Sequence, residues 1–87
     1  MKSRVTDEFI ALFRTLPREV QALARKNYRL WRDDANHPGL QFKRVRAKEP
    51  IYCVRVGLRW RAVGLLEGDT ITWYWIGSHA DYDRIPG

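Results

Sequence analysis

Phe9, Leu12, Phe13 and Leu16 recur at three- and four-residue spacing just after Thr6, Asp7 and Glu8. That spacing predicts a helix with one apolar stripe, capped by Thr6 and carrying two acids at the positive end of its dipole. Pro17 ends this helix or begins the next. A second stripe, Val20, Leu23, Ala24, Tyr28 and Trp31, runs beside Arg18, Arg25, Lys26, Arg29 and Arg32, which lie largely off it. The two segments therefore make a helical hairpin. In "NHPG", Asn36 to Gly39, turn residues crowd together, and Pro38 biases His37 away from helix, so the second helix ends near Asp34. His37 reads as a turn and surface residue.

Beyond this turn the hydrophobic period changes from 3.6 to 2. Ile51 to Val56, Trp60 to Leu66 and Thr70 to Ile76 are rich in β-branched and aromatic residues, and Leu40 to Val45 reads as a shorter fourth strand. Short connections make the strands an antiparallel meander. The expected architecture is α+β: two N-terminal helices packed on one face of a twisted antiparallel sheet of three to four strands, the other face open. A chain of 87 residues has room for one core, so residues 1–87 form a single domain.

The parity of the sheet decides which side chains meet. A first hairpin turning through Gly57, Leu58 and Arg59 pairs Val56 with Trp60, Arg55 with Arg61 and Val54 with Ala62. Both arginines then share the open face, while Tyr52, Val54, Val56, Trp60 and Ala62 face the helices. A two-residue turn would set Arg55 opposite Trp60 and mix charge with indole on both faces, so the three-residue turn is preferred. The "EGDT" run suits a two-residue turn with positive φ at Gly68. This pairs Gly64 with Trp73, Ala62 with Trp75 and Leu66 with Ile71, setting the indoles of Trp60, Trp73 and Trp75 on the core side and Val63 and Tyr74 on the open face. His79 and Tyr82 leave the last strand beside Arg61, and Gly77 and Ser78 let the chain bend there.

Charge sharpens this picture. Between Leu40 and Arg61, Lys43, Arg44, Arg46, Lys48, Arg55, Arg59 and Arg61 face Glu49 alone, and elsewhere acids and bases balance, so the net charge of +6 lies in one quarter of the chain. That is the footprint of a surface that meets a polyanion. Two opposed arginines repel, and a phosphate between them reverses the sign. The single cysteine, Cys53, and the lack of a secretory leader pattern point to a reducing cytoplasm. No apolar run approaches membrane-spanning length, so no membrane is expected. His79, Asp81 and Asp83 crowd into five residues with no second ligand motif, so no metal and no other cofactor is expected.

The series "NHPGLQFKRV", "IYCVRVGLRWRAVG" and "WYWIGSHADYD" resembles the RelE/ParE toxin superfamily of bacterial type II toxin–antitoxin systems over nearly the whole chain. The resemblance implies a compact fold of two helices on an antiparallel sheet and neutralisation by a cognate antitoxin. It also implies one of two activities. RelE-like members cut mRNA on the ribosome without a metal, through 2′-hydroxyl attack on the adjacent phosphate. ParE-like members inhibit gyrase and lack the catalytic set. By position, Arg61 matches the arginine that stabilises the transition-state phosphate, Arg55 a supporting basic residue, His79 an acid or base after the last strand, and Tyr82 a C-terminal tyrosine. Lys43, Arg44 and Arg46 match the basic segment facing RNA. Three departures stand out: Cys53 sits where ribonuclease members often carry Lys, the N terminus is short for a leading strand, and Pro86-Gly87 ends the chain without the usual final helix.

Cleavage by a 2′-hydroxyl needs a base for that oxygen, an acid for the departing 5′-oxygen, and positive charge where the phosphorane gathers electrons. Histidine suits proton transfer near neutrality, so His79 is the expected acid or base, with capping of the turn after the last strand as its other reading, while Arg61 and Arg55 are expected to hold phosphate and Tyr82 to support them. Lys43, Arg44, Arg46, Lys48 and Arg59 are expected to contact mRNA and ribosomal RNA, with Tyr74 stacking on a base. Two readings compete with this endoribonuclease: a ParE-like or degenerate toxin that binds gyrase or another target without cutting, and a stand-alone basic RNA-binding domain.

Overall fold

A computed structural model describes residues 1–84. Its elements run β1 (Lys2–Val5), α1 (Asp7–Arg14), α2 (Arg18–Asp33), β2 (Lys43–Arg44), β3 (Ile51–Val56), β4 (Trp60–Glu67), β5 (Thr70–Ser78) and α3 (His79–Tyr82), with a 3-10 turn at Pro38–Leu40. Thr6 Oγ1 accepts a hydrogen bond from the Phe9 amide at 3.1 Å, and Asp7 and Glu8 occupy the first turn of α1, as its sequence predicts. Pro17 sits at the N-cap of α2, where its fixed φ is compatible with a helix start. The Gln21 amide donates back to the Leu16 carbonyl at 3.1 Å and so closes the corner between the helices. No helix among the described residues is long and apolar enough to cross a membrane.

The strands form one sheet in the order β1-β5-β4-β3-β2. The fold is therefore α+β with the helices on one face, as expected, but the sheet has five strands and is mixed. β1 runs parallel to β5, with Lys2 opposite Thr70 and Val5 opposite Trp73. Its sequence, Lys-Ser-Arg-Val, has no apolar alternation to reveal it, because an edge strand is held by backbone bonds and protected by charge. The fourth expected strand shrinks to Lys43–Arg44, since Pro38–Leu40 tightens into a helical turn that buries Leu40. At the C-terminal end, His79–Tyr82 makes one helical turn capped by Ser78, whose hydroxyl accepts from the Asp81 amide at 3.0 Å. Pro86 and Gly87, where the chain was expected to end without a helix, lie outside the described residues.

The first hairpin has the register that parity demands: Val56 opposite Trp60, Arg55 opposite Arg61, Val54 opposite Ala62. In the second hairpin Gly68 has φ +62° and Glu67 pairs with Thr70, as a two-residue turn requires. Gly64 meets Trp73 and Leu66 meets Ile71, but Ala62 meets Ile76 rather than Trp75. The cause is a β-bulge: Val63 pairs with Trp75 and the next residue, Gly64, with Trp73, so Tyr74 is one residue too many. A bulge places two residues opposite one and shifts parity beyond it. Trp75 thereby leaves the core side and joins Val63 on the open face, while Ile76, 2% exposed, takes its place in the core.

Under the helices, Trp31 of α2 stands edge-on to Trp73 of β5 at 5.6 Å and 77°, and edge-on to Phe42 at 5.8 Å. Ile71, Leu40, Val54, Val56 and Ala62 close around them. The site for Trp73 exists because Gly64 has no side chain. A Cβ there would lie 2.8 Å from the Trp73 ring and 2.9 Å from Ile71. Gly64→Ala is expected to lower stability by about 1–3 kcal/mol through overpacking, read as a lower urea midpoint with unchanged m-value.

Candidate active site

The open face is organised by the turn of the first hairpin. Gly57 adopts φ +68°, a conformation that favours glycine, and a Cβ there would meet Leu23 of α2 at 2.6 Å. Asn27 of α2 donates from its amide to the Arg55 carbonyl at 3.2 Å. The turn is thus pinned to the helix layer, and the register that opposes Arg55 to Arg61 follows from it.

Both guanidiniums are half-buried and held by backbone carbonyls. Arg55 Nε donates to the Gly57 carbonyl at 3.2 Å, and Arg61 Nη1 donates to the Trp60 carbonyl at 2.9 Å. Neither forms an ion pair with a carboxylate among the described residues. Two like charges directly opposed and unneutralised raise the potential of this face. An anion seated between them removes that repulsion.

Around them the face carries Cys53 and Tyr82. Cys53 is 3% exposed and lies between Lys43 of β2 and Val63 of β4. Burial pushes its thiol up, while a hydrogen bond from Tyr82 and the charges of Arg61 and Lys43 pull it partly back. The Tyr82 phenol is pushed up by its own burial and then by Cys53, against the pull of Arg61. Tyr82 is therefore a neutral donor near neutral pH, and Arg61, Cys53 and Tyr82 share one electrostatic neighbourhood. Trp75, released to this face by the bulge, stands 6.3 Å from the Tyr82 ring.

His79 begins α3, and its amide donates to the Arg59 carbonyl at 2.6 Å, tying the helical turn to the first hairpin. Its ring is engaged by α3 itself. Nδ1 lies 3.2 Å from Asp83 Oδ2, and the ring is half-exposed, 6.3 Å from that of Tyr82. A carboxylate at Nδ1 orients the ring and leaves Nε2 available to a ligand. Sequence reasoning did not single out Asp83 for this role. The signal was present, because four-residue spacing from His79 within a turn capped by Ser78 puts the two side chains on one helical face.

The other basic residues divide. Lys43 shares the face of Cys53, and Lys48 and Arg59 are exposed on the loop and turn beside it. Arg44 sits opposite Tyr52, on the other side of the sheet, and its guanidinium braces its own loop through the Arg46 carbonyl at 2.8 Å and the Ala47 carbonyl at 3.2 Å. Arg46 acts on Tyr74, lowering a phenol that burial raises. Tyr74 is 36% exposed, as a stacking residue must be. Among the described residues no three His, Cys, Asp or Glu side chains cluster to hold a metal.

A family model described as a ParE-like toxin domain matches residues 18–84. Comparison with curated proteins yields no match. Among solved structures, the chain is similar to one of the RelB–RelE antitoxin–toxin complex from Methanococcus jannaschii, with TM-score 0.74 and 18% identity over 94% of this chain and 98% of that one. It is also similar to the RelE–RelB complex from Pyrococcus horikoshii, with TM-score 0.70 and 8% identity over 88% and 92%. A YoeB/ParE toxin from Agrobacterium tumefaciens gives 0.70 and 10% over 91% and 99%. At these identities the likeness shows a shared fold.

The raised thiol and phenols carry a stability consequence. The native state holds Cys53, Tyr74 and Tyr82 neutral to higher pH than the unfolded chain does. Their contribution is complete below the ordinary values of 9.0 for the thiol and 10.0 for the phenols and is lost as pH rises beyond them. Urea midpoints should fall between pH 8 and pH 11, and Cys53→Val should flatten the first part of that fall; a midpoint that rises through this range would contradict the assignment.

Proposed function

Because the chain belongs to the ParE-like toxin domain family, we propose that it is the toxin of a toxin–antitoxin module, acting in the cytoplasm as a ribosome-dependent mRNA endoribonuclease. The observation that carries this reading is the opposed pair Arg55 and Arg61, unneutralised by any described carboxylate, on the face that also holds Tyr82. In the reaction, the 2′-hydroxyl of one nucleotide attacks the adjacent phosphate, a 2′,3′-cyclic phosphate forms, and the bond to the 5′-oxygen breaks. Arg61 and Arg55 hold the non-bridging oxygens and stabilise the charge that builds on them. His79, whose Nδ1 is held by Asp83, takes the 2′ proton or supplies one to the leaving oxygen through Nε2. Tyr82 donates to a phosphate oxygen from its neutral phenol. The proton that His79 does not carry is exchanged with water, so both transfers balance with no metal called for. Lys43, Lys48 and Arg59 engage RNA phosphates at the margin, which predicts a steep salt dependence of binding.

A second reading is favoured by one residue. Cys53 is neutral and buried where the ribonuclease members that this chain resembles often carry Lys. A ParE-like toxin binding gyrase or another target without cutting would tolerate that loss.

For the partner, a groove of about 580 Å³ between α1 and α2 has an apolar floor including Phe9, Phe13 and Tyr28, bordered by Arg14, Arg25, Arg29 and Arg32. Arg25 lies over the Phe13 ring at 5.0 Å and Arg32 over Tyr28 at 5.7 Å. An acidic amphipathic segment of the cognate antitoxin complements this surface in shape and charge.

Two experiments follow. Induction of the wild-type chain should arrest growth and create mRNA 5′ ends at fixed codon positions. Arg61→Ala and His79→Ala should each slow cleavage by about 10²–10⁴; arrest that persists in both variants without new 5′ ends would establish the binding-only reading instead. Separately, Arg25→Glu with Arg29→Glu should weaken antitoxin binding by about tenfold or more while cleavage in its absence continues, with titration calorimetry reading the first and primer extension the second.

A further inference from the structure

Where α3 folds over the open face, β3, β4, β5 and the loop before β3 enclose a bowl of about 250 Å³. Ile51 and Val63 give it an apolar floor, and Tyr74, Tyr82, Arg46 and Asp83 line it. We propose that this bowl is a nucleobase pocket selective for guanine, with Asp83 reading the Watson–Crick edge, Arg46 the Hoogsteen edge, and the two tyrosines the flat face. It rests on the RNA-cleaving reading and assigns that site its base preference.

The chemistry of the lining selects the base. An ionised carboxylate only accepts hydrogen bonds, through two oxygens with about four lone-pair sites. Asp83 Oδ2 is engaged by His79 Nδ1 at 3.2 Å, so Oδ1 and the remaining lone pairs are the acceptors for a ligand. Guanine alone among the four bases sets two donors, N1–H and the 2-amino group, side by side on one edge. Adenine and cytosine put an acceptor nitrogen beside their amino group, and uracil flanks its N3–H with two carbonyls, so a carboxylate repels each of them. Arg46 reinforces the choice, because a guanidinium matches guanine O6 and N7. Stacking on Tyr74 and Tyr82 serves any base and supplies affinity without selection.

The placement also links recognition to chemistry. Asp83 is the residue that orients the His79 ring, and Tyr82 is shared between the bowl and the arginine face. A guanine bound to Asp83 would therefore settle α3 and set the His79 ring relative to the phosphate next to that base.

The test is titration of the 87-residue chain with 5′-GMP, 5′-AMP, 5′-CMP and 5′-UMP, followed by NMR shifts of the tyrosine rings. GMP should bind about tenfold tighter than the other three, as expected for a bidentate base contact. Asp83→Asn should bind all four alike, and Tyr74→Ala should weaken all four together while GMP stays ahead. His79→Gln removes the imidazole partner of Asp83 but keeps the carboxylate, so its preference for GMP should survive; loss there would make the Asp83 effect a matter of α3 folding and overturn the proposal. Equal binding of four nucleotides by the wild type, or a GMP preference intact in Asp83→Asn, would also overturn it. Because this readout needs no cleavage, a wild type that prefers GMP yet leaves ribosome-bound mRNA uncut sinks the nuclease reading and leaves the pocket standing.

Discussion

The closeness of Gly57 to Leu23 governs the functional face. The φ of +68° favours glycine in this turn, and with only 2.6 Å between the Leu23 methyl and any added Cβ a larger residue would also displace Leu23. Asn27 then fastens the Arg55 carbonyl to α2. A turn fixed in length and anchored at one point leaves the hairpin a single register. Because side chains alternate strictly along a strand, that register sends Val54, Val56, Trp60 and Ala62 inward and forces Arg55 and Arg61 together outward. Core packing and the positive pair are two results of one constraint, so the repulsion between the arginines is carried by the stability of the core beneath them.

The bulge at Tyr74 makes the opposite kind of adjustment. Without it, Trp73 and Trp75 would both point into a layer already holding Trp31 and Phe42. The indole N–H groups of Trp31 and Trp73 are buried without a hydrogen-bond partner among the described residues, so that cluster is held by ring packing alone. One extra residue moves Trp75 to the outer face, admits the smaller Ile76, and gives Tyr82 an aromatic neighbour. The same irregularity relieves the core and furnishes the open face.

These two devices explain what could be read in advance. The first hairpin was legible because its apolar residues allow only one parity, and the helices because Thr6, Pro17 and the stripes through Leu16 and Trp31 agree with one another. β1 was hidden because a short charged edge strand has no periodicity. The bulge was hidden because Trp-Tyr-Trp-Ile is apolar at every position and so shows no alternation for an extra residue to interrupt. The pairing of His79 with Asp83 was hidden because it depends on the chain closing into a helical turn after Ser78. The position of Arg44 was hidden for a simpler reason: charge counts along a sequence ignore which side of a strand each residue takes, and its guanidinium turns back on its own loop.

Cys53 gives the face its particular electrostatic shape. A lysine at this place would put a charge at the centre of the sheet. Here the centre is a buried thiol that its surroundings keep neutral, and the positive groups, Lys43, Arg55 and Arg61, stand around it. A phosphate on such a surface is drawn toward the Arg55–Arg61 end of the sheet, where the charges are doubled. The Tyr82 phenol beside the thiol stays protonated through its own burial first and through Cys53 second. On the proposed nuclease reading, phosphate binding on this face rests on fewer charges, and a loss of Arg61 would leave no central cation to offset it.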